Sequence, residues 1–152
     1  MSKIKIAIAD DNRDLVKMME AYFENHDSIE VMFTASNGKV CIKMLEQYRP
    51  DVLLLDIIMP HLDGMGVLEA MYNDENLADI PVIMLTAFGQ DDVMKMAVNY
   101  GASYFMLKPF EFEQLVQKIN HVAGVKVESE KRKSILQPTP NKKMDQRQLD
   151  TT

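Results

Sequence analysis

Val52-Leu53-Leu54-Leu55-Asp56-Ile57-Ile58-Met59-Pro60-His61-Leu62-Asp63-Gly64 is the stretch on which the architecture turns. The unbroken aliphatic run from Val52 to Leu55 marks a short strand buried on both faces, as in the middle of a parallel sheet. Pro60 and the pair Asp63-Gly64 then force the chain to turn. Asp56 therefore stands at the carboxyl end of a central strand, where open α/β sheets place their chemistry. A charge buried there requires a compensating partner. Taken alone, the motif is equally compatible with an aspartate that caps the next helix.

Outward from this stretch the chain alternates regularly. Residues 4–9 form a strand candidate, and Leu15, Met18, Met19 and Tyr22 recur at helical spacing over residues 13–25. Residues 30–34 form a short strand. Asn37-Gly38 then turns into a helix carrying Val40, Cys41, Met44, Leu45 and Tyr48, which Pro50 ends. A helix from about residue 64 to 73 follows the central strand, and Pro81 opens a fourth strand over residues 82–85. Asp91 or Asp92 is expected to cap a fourth helix through Tyr100, with Gly101 as its stop. Residues 103–107 give a fifth strand, and Phe112, Leu115, Val116, Ile119 and Val122 line a final helix. Five β-α repeats of this length indicate a parallel sheet with helices on both faces.

Composition limits the function. The chain has 152 residues, enough for one domain with a full core plus an extension. Residues 1–124 carry a net charge of −9, which argues against direct nucleic-acid binding by this body. Residues 125–152 carry +3, include Pro138 and Pro140, and show no sustained apolar period, so they read as a flexible linker. Their Lys131-Arg132-Lys133 and Lys142-Lys143 are compatible with a solvated linker or with a touch on DNA. Cys41 is the single cysteine, so no internal disulfide forms. No apolar run approaches the roughly 18 residues of a membrane span, and the start Met1-Ser2-Lys3 lacks a signal-peptide core. A cytoplasmic location is expected.

The strand ends supply the candidate site. Asp10-Asp11 closes the first strand, Asp56 the third, Thr86 the fourth and Lys108-Pro109 the fifth. If the first strand lies beside the third, as in the flavodoxin-like order 2-1-3-4-5, Asp10, Asp11 and Asp56 converge at the switch point. Three carboxylates at close range cannot all stay ionised unaided. A hard divalent cation resolves the conflict, and Mg²⁺ suits a site of few carboxylates, some waters and a phosphoryl oxygen. Lys108 adds a point positive charge and Thr86 a hydroxyl. Each feature alone has a plainer reading as a cap or a turn residue; their placement on separate strand ends gives them weight together.

These residues carry a resemblance. Asp10-Asp11, Asp56, Thr86-Ala87 and Lys108-Pro109-Phe110 resemble the receiver domain of two-component response regulators, over about residues 4–124. The likeness sharpens in residues 55–64, 84–90 and 101–110, which are similar to receivers that govern sporulation in Bacillus-like bacteria. It implies that Asp56 accepts a phosphoryl group from a histidine kinase or a histidine phosphotransfer protein of a phosphorelay. It also implies a divalent cation, Mg²⁺ or else Ca²⁺ or Mn²⁺, held by Asp11, Asp56 and the backbone carbonyl of Ile58. Asp10 would then act mainly through water or a neighbouring ligand.

Lys108 is implied to pair with a phosphoryl oxygen, Thr86 to bind the new group, and Phe105 to be the switch aromatic that repacks the fourth helix, fifth strand and fifth helix. The Lys108-Pro109 peptide is expected to be cis. The further implications are homodimerisation on phosphorylation, a DNA-binding effector domain beyond Thr152 through which alone DNA is touched, and no membrane partner. Phe105 lacks a tyrosine's hydroxyl, so switching would rest on packing. Ile58 is apolar where other receivers carry polar groups that could assist a water, so slow self-dephosphorylation is expected rather than enzymatic turnover.

Two other readings stay open at this point. One is a stand-alone carrier passing the phosphoryl group onward; the other is a metal-dependent phosphohydrolase, which would need a second acid or base where Ile58 stands. The 13 methionines are compatible with flexible core filling or with a partner surface including Met94, Met96 and Met106. His26, His61 and His121 are scattered without ligand-like spacing, and no Gly-rich dinucleotide fingerprint follows the first strand.

Overall fold

Alternation along the central strands decides how the molecule is layered. In the computed structural model, which describes residues 2–87 and 89–136, β3 (Val52–Asp56) is buried at every position. Leu53 and Leu55 enter one apolar cluster with Ala7, Ala9, Val82 and Met84. Val52 and Leu54 enter the other, with Ile6, Ile8, Ile83 and Leu85. A strand whose successive side chains must both be apolar can only be covered on both faces.

The cover comes from five helices. On the first face lie α2 (Gly38–Gln47), α3 (Gly64–Tyr72) and α4 (Asp91–Asn99), through Cys41, Leu45, Val67, Leu68, Met71 and Ala97. On the second lie α1 (Arg13–Glu24) and α5 (Phe112–Leu136), through Val16, Met19, Phe23, Leu115, Ile119 and Val122. The sheet is wholly parallel, in the order β2-β1-β3-β4-β5, with β1 at Ile4–Ala9, β2 at Ile29–Ala35, β4 at Val82–Thr86 and β5 at Tyr104–Leu107. This is the flavodoxin-like doubly wound fold expected from the β-α alternation.

Local signals start most helices. The side chains of Asn12, Asn37 and Asp63 accept the backbone N–H groups of Leu15, Val40 and Gly66 at 3.1, 2.9 and 2.8 Å. Each satisfies one of the orphan donors of a helix start. Gly101 has a φ of +89°, the left-handed geometry that ends α4.

Two expectations differ from the structure. The cap position of α4 is Gln90, without a side-chain cap bond, while Asp91 and Asp92 lie inside the first turn. There they face the positive end of the helix dipole instead of closing a hydrogen-bonded cap. The last helix continues to Leu136, so the first part of the segment read as flexible linker, residues 125–136, is helical. Lys, Glu and Arg are good helix formers, and a sequence without a sustained apolar period gives no helical signal to read. The remainder of the expected linker, from residue 137, lies outside the described residues.

Register brings the strand ends together. Ala9 is the partner of Leu55, so the next residues, Asp10 and Asp56, emerge side by side. Thr86 is the partner of Leu107, and the Lys108 N–H donates to the Thr86 carbonyl at 2.8 Å.

Candidate functional site

Three carboxylates meet at the carboxyl edge of β1 and β3. Asp10, Asp11 and Asp56 each offer an oxygen, and these oxygens all lie within 4.8 Å of one another. Asp10 and Asp56 are buried and Asp11 is exposed, so the cluster has a dry floor and a wet rim. Its fourth member arrives from β5. The Lys108 ammonium lies 2.8 Å from Asp10 Oδ2 and 3.5 Å from Asp56 Oδ1. The Lys108-Pro109 peptide is cis, as the sequence led us to expect.

Asp10 is the most tightly engaged of the acids. Its Oδ2 accepts from Lys108, and its Oδ1 accepts the Asn12 backbone N–H at 2.9 Å. Sequence reasoning did not give Asn12 this part; an Asx-type turn two residues past Asp10 was the only available signal. Burial pushes the Asp56 carboxyl up from its ordinary 3.8 to about 6, and the neighbouring Asp10 charge adds to the rise. Lys108 pulls the other way by charge and hydrogen bonding, and Asp11 contributes a smaller upward push. An aspartate so placed accepts positive charge readily, because a cation relieves both its burial and its repulsion.

The remaining candidates surround this centre. Thr86 is 1 % exposed at the end of the next strand. Phe105 is half-buried in β5 and packs against the cluster containing Leu55, Met84 and Ala97. Ile58, two residues beyond Asp56, presents its side chain outward at 55 % exposure. The loop that carries it is held by backbone bonds, from Leu62 N–H to the Pro60 carbonyl at 2.8 Å and from Gly64 N–H to the Ile57 carbonyl at 2.7 Å. His61 has a φ of +68° in the same loop, the left-handed region.

The donor set suits one class of ion. All three side-chain ligands are carboxylate oxygens, the chemistry of a hard divalent cation such as Mg²⁺ or Ca²⁺ and not of a thiophilic metal. With both oxygens of Asp10 already accepting hydrogen bonds, Asp11 and Asp56 are the acids best placed to bind such an ion directly. Of the methionines, Met19, Met59, Met71, Met84 and Met106 are buried while Met18 and Met96 are exposed. Core filling therefore accounts for only part of their number.

Comparison with known proteins agrees with this geometry. The chain is similar to a DNA-binding response regulator of the LuxR family from Staphylococcus aureus, with 32 % identity and a TM-score of 0.73 over 79 % of this chain and 98 % of that one. The receiver domain of the Francisella response regulator 1452 matches at 25 % identity and a TM-score of 0.73, over 80 % and 98 % of the two chains. The phosphorylated cyanobacterial phytochrome response regulator RcpA matches at 26 % identity and a TM-score of 0.67, over 82 % and 91 %. The family model described as "Response regulator receiver domain" matches residues 6–120. Carrying that match over more than half its length, with the acids and lysine of its strand ends gathered at one edge, the chain belongs to the receiver domains of two-component response regulators.

Proposed function

We propose that Asp56 is the phosphoacceptor of this receiver, charged from a phosphohistidine on a histidine kinase or histidine phosphotransfer protein. An Asp56 carboxylate oxygen bonds to phosphorus as the phosphorus–nitrogen bond to the donor imidazole breaks, and the electron pair stays on the imidazole, which takes a proton. Asp11, Asp56 and the Ile58 backbone carbonyl would hold Mg²⁺, or Ca²⁺ or Mn²⁺ in its place, with Asp10 acting through water. The ion supplies positive charge against the phosphoryl oxygens. Lys108 supplies a second cation, and Asp10 and Asn12 hold it and its partner acid in position. Little covalent assistance is required, because phosphoryl transfer is governed by positioning and charge neutralisation.

The consequence of transfer is a change of packing. Thr86 hydrogen-bonds the new phosphoryl group and draws its loop inward, and Phe105 turns into the space so opened, altering the surface of α4, β5 and α5. Phosphorylation then favours a homodimer and places two DNA-binding effector domains on paired half-sites. Similarity to a DNA-binding response regulator supports an effector of this type. The likeness of residues 55–64, 84–90 and 101–110 to sporulation regulators supports a place in the control of sporulation.

The observation that carries this reading is the contact of Lys108 with Asp10 and Asp56 inside a cluster of three acids. Incubation with Mg²⁺ and acetyl phosphate, followed by intact mass, should add one phosphoryl group to the parent chain and none to Asp56→Asn. A mass gain that survives in Asp56→Asn overturns the assignment. We also expect the domain to be no more than a slow hydrolase of its own phosphate, because the exposed Ile58 offers nothing to orient an attacking water. Ile58→Asn should shorten the phosphorylated lifetime by roughly tenfold, less than a fully positioned general base provides. An unchanged lifetime removes Ile58 from that role.

A further inference from the structure

We propose that Gly38, which contributes nothing to the acid cluster directly, is a positioning residue for it: the β2–α2 corner is a strut between the site's two walls. The inference rests on the metal and phosphoacceptor reading of Asp56. One wall is Asp10, whose backbone N–H donates to the Ala35 carbonyl at 3.0 Å, tying the end of β1 to the end of β2. The other wall is the loop of residues 57–63, which carries the Ile58 carbonyl. Three residues past Ala35, Gly38 meets this loop backbone to backbone. A methyl group on Gly38 would sit 2.0 Å from the Leu62 carbonyl oxygen and 2.7 Å from its carbonyl carbon. Real side chains do not approach that closely, and a carbonyl in a hydrogen-bonded loop has no flexible end to move aside.

The contact is transmitted because the loop is closed on itself. Leu62 donates to the Pro60 carbonyl, and Gly64 donates to the Ile57 carbonyl while its own Cα lies against the Asp56 carbonyl, where an added methyl would also come within 2.0 Å. A push at Leu62 is therefore carried through a short ring of backbone bonds to the residues flanking Asp56. Gly66 behaves differently. Its nearest neighbour is the Leu62 Cδ1 at 2.5 Å, the far end of a side chain that can rotate away. Close approach at Gly38 sets where the loop backbone stands, whereas crowding at Gly66 is absorbed locally.

The test measures Mg²⁺ affinity by calorimetry on the whole chain, alongside thermal stability and phosphorylation by acetyl phosphate. Gly38→Ala should weaken Mg²⁺ binding roughly tenfold, as loss of an outer support does in metal sites, and should slow phosphorylation at fixed Mg²⁺. Amide chemical shifts of residues 57–59 and 61–63 should move with it. Cys41→Ala removes a buried side-chain group from the next turn of α2 and lowers stability while leaving the backbone contact of Gly38 with Leu62 in place. It should leave Mg²⁺ affinity within twofold. If Gly38→Ala folds poorly, the same comparison is made in a Gly124→Ala background, since a methyl at Gly124 meets nothing within 4 Å and favours the helix.

Affinity unchanged in Gly38→Ala, or lost equally in Cys41→Ala, overturns the inference while leaving Asp56 as acceptor. A parent chain that neither binds Mg²⁺ nor gains a phosphoryl group overturns the functional reading and the strut with it.

Discussion

Opposite ends of the sheet each carry an ion pair between residues far apart in sequence, and the two are built on different terms. At the amino end, Arg49 before β3 meets Asp79 before β4 at 2.6 Å, with side chains 46 % and 59 % exposed. At the carboxyl end, Lys108 meets Asp10 at 2.8 Å, with side chains 18 % and 0 % exposed. The shorter contact lies in water, where screening and side-chain entropy leave an ion pair little net effect. The longer one is enclosed, so each charge depends on the other for what solvent no longer supplies. Distance does not rank these pairs; solvation does. The enclosed pair also has Asp56 beside it, a third charge that makes the local electrostatics adjustable.

The strongest way to break the comparison is to remove the enclosed cation. Lys108→Met leaves the buried Asp10 facing Asp56 without a counter-charge. Removing one partner of a buried pair costs about 3 kcal/mol or more, and this loss should appear as a lower urea midpoint at neutral pH. Phosphorylation by acetyl phosphate should fall about 100-fold, the scale seen when one preorganised charge-stabilising group is lost. A midpoint unchanged from the parent would show that Asp10 does not depend on Lys108.

A second test uses the acid whose charge is least comfortable. Asp56 has a folded pKa of about 6 against an ordinary 3.8. Because the folded value is the higher one, Asp56 contributes stability fully below about 3.8 and loses that contribution as pH rises through about 6. Above pH 7 its ionised form is a burden on the metal-free fold. In EDTA at pH 7.5, Asp56→Asn should be more stable than the parent by about 2 kcal/mol, and the difference should vanish towards pH 4. Added Mg²⁺ should raise the parent's melting temperature far more than the variant's. A parent that is the more stable of the two in EDTA at pH 7.5 would mean that Lys108 outweighs burial.

Much of this arrangement was legible before any coordinates, and the reasons are particular. Val52 to Leu55 read as an inner strand, and a parallel sheet with that strand beside β1 puts Asp10 and Asp56 abreast. What single residues could not show was their state of engagement. The place of Lys108 after the last strand suggests a partner for a phosphoryl oxygen, and the structure adds that Asp10 holds it, a contact spanning 98 residues. Gly38 looked like an ordinary turn glycine, because its neighbour Leu62 comes from a different loop. The helical residues 125–136 were hidden for the opposite reason, since a charged stretch of sequence without a sustained apolar period gives no helical signal. Asp91 and Asp92 offered two adjacent candidates for one cap, and neither occupies the cap position.

The smallest expected effect falls at the amino end of the sheet. Arg49 donates to the Asn76 carbonyl as well as to Asp79, so it pins the segment before β4 to the start of β3. Both of its partners lie at the surface, and water replaces what the guanidinium gives up. Arg49→Ala should therefore cost no more than about 1 kcal/mol. A double-mutant cycle with Asp79→Ala should yield a coupling near 0.5 kcal/mol that shrinks as salt is raised. Phosphorylation at Asp56 should be untouched, because the bonds of Arg49 go to Asn76 and Asp79 and not to the acids. A salt-independent coupling above about 2 kcal/mol would place this pair in the same class as Lys108 and Asp10, and exposure could no longer be what separates the two ends.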